Sequence, residues 1–484
     1  MKILIVGNDP TEIGGVANYT RPLALKFNEL GHDVFYLYSG AFRSRYDLFM
    51  RPYLKIRYDL FPFECAEIIN STNLPFNFGH PELDMFSEGM DRVIKGYIER
   101  TKPDVMHVHS RLGLPASVNE LAHELGVAVL NTIHVYGYIC QRRVMIDRDG
   151  ELCQGPFDLR KCAWCTGSPS YLRNRLRALF VNFKEGLKAR HSGVFKTLQS
   201  IKRNVLSRYG PTGEKKKSSG LNWEYDEPSC LSNKLEQRLQ YCIQALNRYS
   251  LRTICVSTDV KNILIRYGVD ESRLLVQHIG STIAERQTSY RRTLHNPFVI
   301  GNIGGVNHYK GTHVLLDAIG KLKRNDFIVK IFGRYNELYI SDLIHGRNSL
   351  PVVFTGRYSP EEIPEILKQI DIMVLPSICN DTAPQTIFES FSGGVPIIAS
   401  NIGGFPDFIH HDLNGLLFEP GNSDDLARKI DQVLSKPNVI LEYQKNIPKL
   451  KTISGNANEL LVLYLEMLAQ RKANGSILAV REPS

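Results

Sequence analysis

The sequence predicts an α/β protein made of two Rossmann-like domains that face a central cleft. A chain of 484 residues is too long for one hydrophobic core, so two domains of roughly 200 residues are expected. Its opening reads as buried strand, glycine turn, helix and strand, and the same rhythm restarts near residue 296.

The first unit begins with the apolar run Ile3-Leu-Ile-Val6 over residues 2–6, broken by Gly14-Gly15. Residues 16–30 have helical spacing, and Gly31 turns the chain into a second strand over 34–38. A parallel βαβ unit explains that order. Residues 105–109 and 128–133 read as further buried strands with a helix over 116–125 between them. After the restart come strands at 298–303, 327–332, 352–355, 372–375 and 396–399, with helices at 312–322, 360–369 and 386–392. The expected division is an N-terminal domain over 1–285, a C-terminal domain over 286–455, and a helix with tail over 456–484. In doubly wound sheets ligands sit beyond the C-terminal strand ends, which here means the cleft between the halves.

Apolar residues make up 43% and charged residues 23% of the chain, as in an ordinary soluble α/β protein. The N-terminus has no leader pattern and no run reaches the ~18 apolar residues of a membrane span, so a cytoplasmic location is expected. Disulfides are rare there, and the nine cysteines need another account. The net charge of +9 is local: residues 172–217 hold thirteen basic and two acidic side chains. Within the segment 166–235, Leu172, Leu176, Leu179, Phe183 and Leu187 recur every three or four residues between basic positions. Residues 172–209 therefore read as basic amphipathic helices. Three readings stay open for them: an anionic membrane surface, where each cation contributes about 1 kcal/mol, an anionic or lipid-linked acceptor, or a solvated or partner-binding face. The first would make the protein peripheral on the inner face of the membrane. No recognition motif accompanies the charge, so nucleic acid is not expected.

The densest chemistry lies between Pro376 and Asp407. Asp381 and Glu389 are carboxylates separated by seven residues, Glu389 within a short helix and Asp381 in the loop before it. The helix N-terminus then falls among Thr382, Ala383, Pro384, Gln385 and Thr386, where free backbone N–H groups can hold a phosphate. The two carboxylates can accept hydrogen bonds from sugar hydroxyls, and Gly393-Gly394 and Gly403-Gly404 permit close backbone approach. His134 follows the strand 128–133 at the end where ligands bind, whereas His107 and His109 alternate on a strand and read as core or supporting residues.

A separate constellation is Cys140-x12-Cys153-x8-Cys162-x2-Cys165. Four thiolates suit a closed tetrahedral zinc site of structural type. Four free thiols and an iron–sulfur cluster are the alternatives.

The run Pro376-Ser377 … Asp381-x7-Glu389-Ser-Phe-Ser-Gly-Gly-Val-Pro396 … Gly403-Gly404 resembles the donor-site pattern of retaining glycosyltransferases of family four. Gly14-Gly15, Asp104-Val-x-His-Val-His109, Thr355-Gly-Arg357, Asn414-Gly-Leu-Leu-Phe418 and Pro420-Gly421 extend the likeness to nearly the whole chain outside 166–235. The resemblance implies the GT-B fold, a nucleotide-sugar donor (UDP- or GDP-sugar), and a glycan or lipid-linked acceptor, in surface polysaccharide or glycolipid synthesis. It implies that Glu389 binds the donor ribose, Asp381 the hydroxyls of the transferred sugar, and Lys310 the leaving diphosphate. It also implies that Gly15 approaches from the other domain, that His134 contacts the donor sugar and the reacting centre, and that the last helix crosses back to the first domain. A cationic pair replaces a catalytic metal in such enzymes. This chain departs at two places: Asp381 stands for the usual Glu, and Gly305 for the usual Arg, leaving His308 or Arg334 to supply the second cation. Two other classes share such a fold, a non-catalytic nucleotide-sugar or glycan-binding protein and a sugar-nucleotide epimerase.

Overall fold

The computed structural model describes residues 1–40, 51–73, 80–156, 158–166, 230–287, 293–345 and 350–479. Strands β1 (Lys2–Gly7), β2 (Asp33–Ser39), β3 (Tyr53–Arg57), β4 (Glu64–Ile69), β5 (Val105–Val108), β6 (Ala128–Ile133), β7 (Arg252–Cys255) and β8 (Leu274–Val276) form one sheet. Its order is β3-β4-β2-β1-β5-β6-β7-β8, parallel except where β3 runs antiparallel to β4. Strands β9 (Phe298–Ile303), β10 (Phe327–Phe332), β11 (Val352–Gly356), β12 (Ile372–Leu375), β13 (Ile397–Ser400) and β14 (Gly415–Phe418) form the second. That sheet is wholly parallel, in the order β11-β10-β9-β12-β13-β14.

The inner strands are continuous apolar runs because both faces are covered: every residue of β6, β9 and β12 is buried. In each sheet the order reverses beside the first strand, between β1 and β5 and between β9 and β12. A crevice opens at such a switch point, and the candidate residues gather at these two crevices.

Five helices position them: α1 (Gly15–Glu29), α2 (Leu159–Thr166), α3 (Cys230–Tyr249), α4 (Gln385–Ser392) and α5 (Ile453–Ala479). Helix α5 lies against α1, with the rings of Phe27 and Tyr464 5.7 Å apart. The Tyr19 hydroxyl donates to Asn456 Oδ1 at 2.7 Å, and the backbone N–H of Gly280 donates to the same oxygen at 3.0 Å. Tyr464 is fully buried and its hydroxyl meets His107 Nδ1 at 2.6 Å. Burying such a ring stabilises by about 2 kcal/mol, provided its polar tip finds a partner.

Helix α3 begins at Cys230, inside the stretch expected to be an insertion, and buries Cys242, Ala245 and Leu246 in the core. The inserted segment is therefore shorter than 166–235, and its basic part, 172–209, lies outside the described residues. Among the described residues no helix is long and apolar enough to cross a membrane.

Candidate active site

The loops following β9 and β12 are laced together across the second crevice. The N–H of Ile378 donates to the Tyr309 carbonyl at 3.0 Å, and the Ser377 hydroxyl donates to the same oxygen at 3.3 Å. Gly311 has a φ of +73°, and a Cβ there would collide with the Pro376 carbonyl, so only glycine allows the loops to meet. Asn307 Oδ1 accepts from the Lys310 N–H at 3.0 Å and folds residues His308–Lys310 into a single tight turn. That turn delivers Lys310 Nζ to Asp381, with which it forms an ion pair. Burial works against the Lys310 charge, but the Asp381 carboxylate outweighs it and holds the ammonium above its ordinary range.

Helix α4 starts immediately beyond. No side chain caps it at Pro384, so the first N–H groups, at Gln385 and Thr386, face the crevice without an intrahelical partner. Gly304 lies over them: a Cβ on Gly304 would sit 3.6 Å from Thr386 Cγ2. Glu389 follows one turn later, with Oε2 buried and without a hydrogen-bond partner among the described residues. Burial alone pushes its carboxyl up to about 7. The loop after β13 closes the far side, where the Gly404 N–H donates to the Asp381 carbonyl at 2.8 Å. An uncapped helix end, a cation and an unsatisfied carboxyl thus share one crevice, and together they suit a ribose linked to phosphate.

Gly305 leaves room where a side chain is expected, and the sheet fills the loss from its neighbours. Backbone bonds from Gly304 N–H to the Phe332 carbonyl (3.0 Å), Val306 N–H to Arg334 (3.0 Å) and Gly333 N–H to Gly356 (2.7 Å) align the ends of β9, β10 and β11. As a result Gly305, Asn307, Arg334, Tyr335 and Arg357 line one open cavity of ≈ 740 Å³. Neither arginine is ion-paired among the described residues. His308 instead stacks on His313, with ring centroids 4.3 Å apart. Of the two expected substitutes, Arg334 is the one that shares a cavity with Gly305. Arg357, quoted in the sequence only as part of a motif, joins it because β11 lies beside β10.

The N-terminal sheet supplies the opposite wall. Gly15 opens α1 with nothing within 4 Å of an added Cβ. His134 ends β6, and its carbonyl accepts a hydrogen bond from the Thr382 hydroxyl at 2.6 Å, so the two crevices meet at this contact. The His134 ring packs 5.1 Å from that of Tyr19, and its Nε2 lies 3.1 Å from His109 Nδ1. Burial pushes the His134 imidazole down to about 3, and His107 and His109 are likewise held well below their usual range. All three rings are neutral at physiological pH. His134 can therefore orient a ligand, whereas a proton acceptor of that strength would be a poor base.

Cys140, Cys153, Cys162 and Cys165 all line a cavity of ≈ 580 Å³ between the hairpin bridged at Ile146 and Leu152, α2 and α3. Burial pushes the Cys162 thiol up to about 12 and that of Cys165 up to about 11. Among the described residues, however, no three His, Cys, Asp or Glu side chains form a group that could hold a metal. Cys162 and Cys165 sit one turn apart on α2, and the other two flank the hairpin.

Known proteins resemble this arrangement at two levels. The fold is that of sucrose-phosphate synthase from Thermosynechococcus elongatus, with a TM-score of 0.60 at 16% identity over 97% of this chain and 99% of that one. HepE from Anabaena, solved with UDP and glucose, gives a TM-score of 0.56 at 15% identity over 96% and 99% of the two chains. The fold is thus GT-B, that of two-domain glycosyltransferases. Residues 286–450 match the glycosyl transferases group 1 model. An uncharacterized glycosyltransferase of Methanocaldococcus jannaschii is 28% identical over 157 residues, 31% of this chain and 40% of the relative. Stretches matched among such relatives span 26–59% of their own length.

Proposed function

We propose that this chain is a retaining glycosyltransferase that moves a sugar from a UDP- or GDP-sugar to a hydroxyl of a glycan or lipid-linked acceptor, in surface polysaccharide or glycolipid synthesis. The observation that carries the reading is the Thr382–His134 hydrogen bond. It brings the uncapped end of α4, with Lys310 and Asp381, against the strand end of the other domain. In this reading Glu389 accepts from the ribose, the α4 N–H groups and Lys310 hold the diphosphate, and Arg334 with Arg357 supply the charge that Gly305 lacks. Asp381 leaves Lys310 for the hydroxyls of the transferred sugar. The bond from the sugar to phosphate breaks as the acceptor oxygen attacks the same face, and the leaving phosphate takes the hydroxyl proton. No protein nucleophile and no catalytic metal take part. That HepE was solved with UDP makes UDP-sugars the first donors to test.

The test is a panel of UDP- and GDP-sugars incubated with the protein without acceptor. Slow hydrolysis of one donor, with the anomeric configuration of the released sugar retained by NMR, is the expected outcome. Donors that bind without turnover would leave a binding protein, and donor isomerised without transfer an epimerase. Two further parts of the proposal are structural: zinc drawing Cys140, Cys153, Cys162 and Cys165 together, and residues 172–209 holding the protein at an anionic membrane surface. Metal content of the purified protein and sedimentation with anionic liposomes test them.

A further inference from the structure

Behind the Thr382 contact, the N-terminal domain buries more positive charge than its described residues neutralise. Asp84 is 2% exposed and three guanidiniums surround its carboxylate: Arg238 at 2.6 Å, Arg111 at 3.4 Å and Arg143 at 3.7 Å. Arg111 and Arg238 are buried as deeply as Asp84. The cluster sets one negative charge against three positive ones. Buried charge left without a counter-charge is costly.

Backbone carbonyls take part of the load. Arg111 donates to the Gly137 carbonyl at 3.1 Å, Arg238 to that of Ile139 at 3.2 Å, and Arg143 to that of Arg111 at 3.2 Å. Asn73 donates to Asp84 at 2.8 Å, and Arg111 donates to the Cys242 sulfur at 3.5 Å. Carbonyl dipoles do not cancel the excess, and Arg111 Nε is buried with no partner among the described residues. Burial pushes the Arg143 guanidinium down to about 10; Asp84 opposes this, while the neighbouring Arg111 and Arg238 add to it.

Arg111 and Arg143 also line a small cavity at the C-terminal ends of β5 and β6, with His109, Ser110, His134 and Gly137. This is where a doubly wound sheet binds ligands. His109 is 2% exposed and its Nε2 has no hydrogen-bond partner among the described residues. When His134 Nε2 donates to His109 Nδ1, the neutral His109 ring carries its proton on Nε2. That leaves a second buried donor without an acceptor beside two arginines. A cavity with such a lining is short of an anion.

We infer that the cavity bounded by His109, Arg111, His134 and Arg143 binds a phosphate group of the acceptor, so that the acceptor is a phosphorylated sugar or a phosphate-bearing lipid. The inference rests on the glycosyltransferase reading and deepens it, because His134 links this cavity to the donor loop through Thr382.

The experiment titrates the full chain with inorganic phosphate and, separately, with UDP. Arg143→Gln is expected to weaken phosphate binding about ten-fold while UDP binding stays as in the parent. Lys310→Met is expected to do the reverse. Phosphate binding that survives Arg143→Gln, or that is lost only in Lys310→Met, overturns the proposal. A fall in thermal stability of Arg143→Gln with phosphate binding intact also overturns it, because the arginines would then only anchor residues 137–143. If Arg143→Gln does not fold, His109→Gln carries the same expectation without removing a charge. Glucose 1-phosphate and phosphatidic acid vesicles then separate the sources: Arg143-dependent binding of the first assigns a soluble acceptor, of the second a lipid one. Failure of UDP to bind the parent protein would count against the donor reading and leave the phosphate result to be judged on its own.

Discussion

The two sheets share a strand order around their switch points yet carry opposite chemistry at their strand ends. In the C-terminal domain the ends of β9, β10, β11 and β12 present accessible charge: Lys310, Arg334, Arg357 and Asp381. In the N-terminal domain the ends of β5 and β6 present neutral, buried imidazoles, and the arginines lie deeper. The fold settles where ligands go, and the side chains settle what each wall does. A diphosphate needs charge that water keeps solvated until the ligand arrives. A reacting sugar centre is better served by a dry wall of fixed dipoles.

Glu389 is the sharpest test of that contrast, because it is the buried acid on the charged side. Replacement by Ala is expected to lower donor affinity and kcat/KM a hundredfold or more, by roughly the worth of hydrogen bonds to a charged group. Donor titration and steady-state kinetics check it. Retention of parental donor affinity would remove Glu389 from the site.

The same residue makes a stability prediction of the opposite sign. Its carboxyl lies at about 7 in the folded protein against an ordinary 4.5, so the unfolded chain gives up the proton more readily. Stability should therefore be full below pH 4.5, fall as pH rises to about 7, and stay level beyond that. Glu389→Gln removes the loss. It is expected to be about 2 kcal/mol more stable than the parent at pH 8, a value discounted for partial exposure, and equal at pH 4. Denaturant unfolding at the two pH values measures the difference. A variant less stable than the parent at pH 8 would mean the carboxylate is already satisfied.

How much of this was legible in the sequence differs between the halves for the same physical reason. In the C-terminal domain β9, β12 and β13 are buried on both faces, so runs such as Phe298–Ile303 stand out in the sequence. In the N-terminal domain β3 is half-exposed, and β4 contains Glu64 and Glu67, whose buried carboxylates are paired with Arg100 and Arg57. Strand β8 has three residues. Hydrophobic pattern cannot mark such elements. Among site residues, Lys310, Asp381, Thr382 and Glu389 could be read because one loop and one helix hold most of them. Arg357 could not, since it meets Gly305 only through strand order. The Asp84 cluster was invisible because its members come from positions as far apart as 84 and 238.

Arg334 tests whether charge is what distinguishes the C-terminal wall. Arg334→Gln is expected to weaken UDP binding about ten-fold, and Arg334→Gln with Arg357→Gln more than either alone, since both face one cavity. The loss should shrink as salt is raised, because the pair is exposed and screened. A salt-independent loss would point to packing and would erase the contrast with the buried arginines of the other half.

The smallest effect belongs to the contact between the walls. Thr382→Val keeps the shape of the side chain and removes the hydroxyl that donates to the His134 carbonyl. One neutral hydrogen bond contributes about 1 kcal/mol, so kcat/KM is expected to fall about five-fold. UDP affinity should hardly change, because in the proposed reading Lys310, Arg334, Arg357 and the α4 N–H groups hold the diphosphate from the C-terminal side. Transfer should suffer, since the bond fixes the strand end of β6 relative to α4. Parallel measurement of UDP affinity and kcat decides the point. If Thr382→Val weakens UDP as much as Arg334→Gln does, Thr382 is a donor contact in its own right and the division between the walls lies elsewhere. If kcat alone falls, the hydroxyl acts by holding the two halves in register.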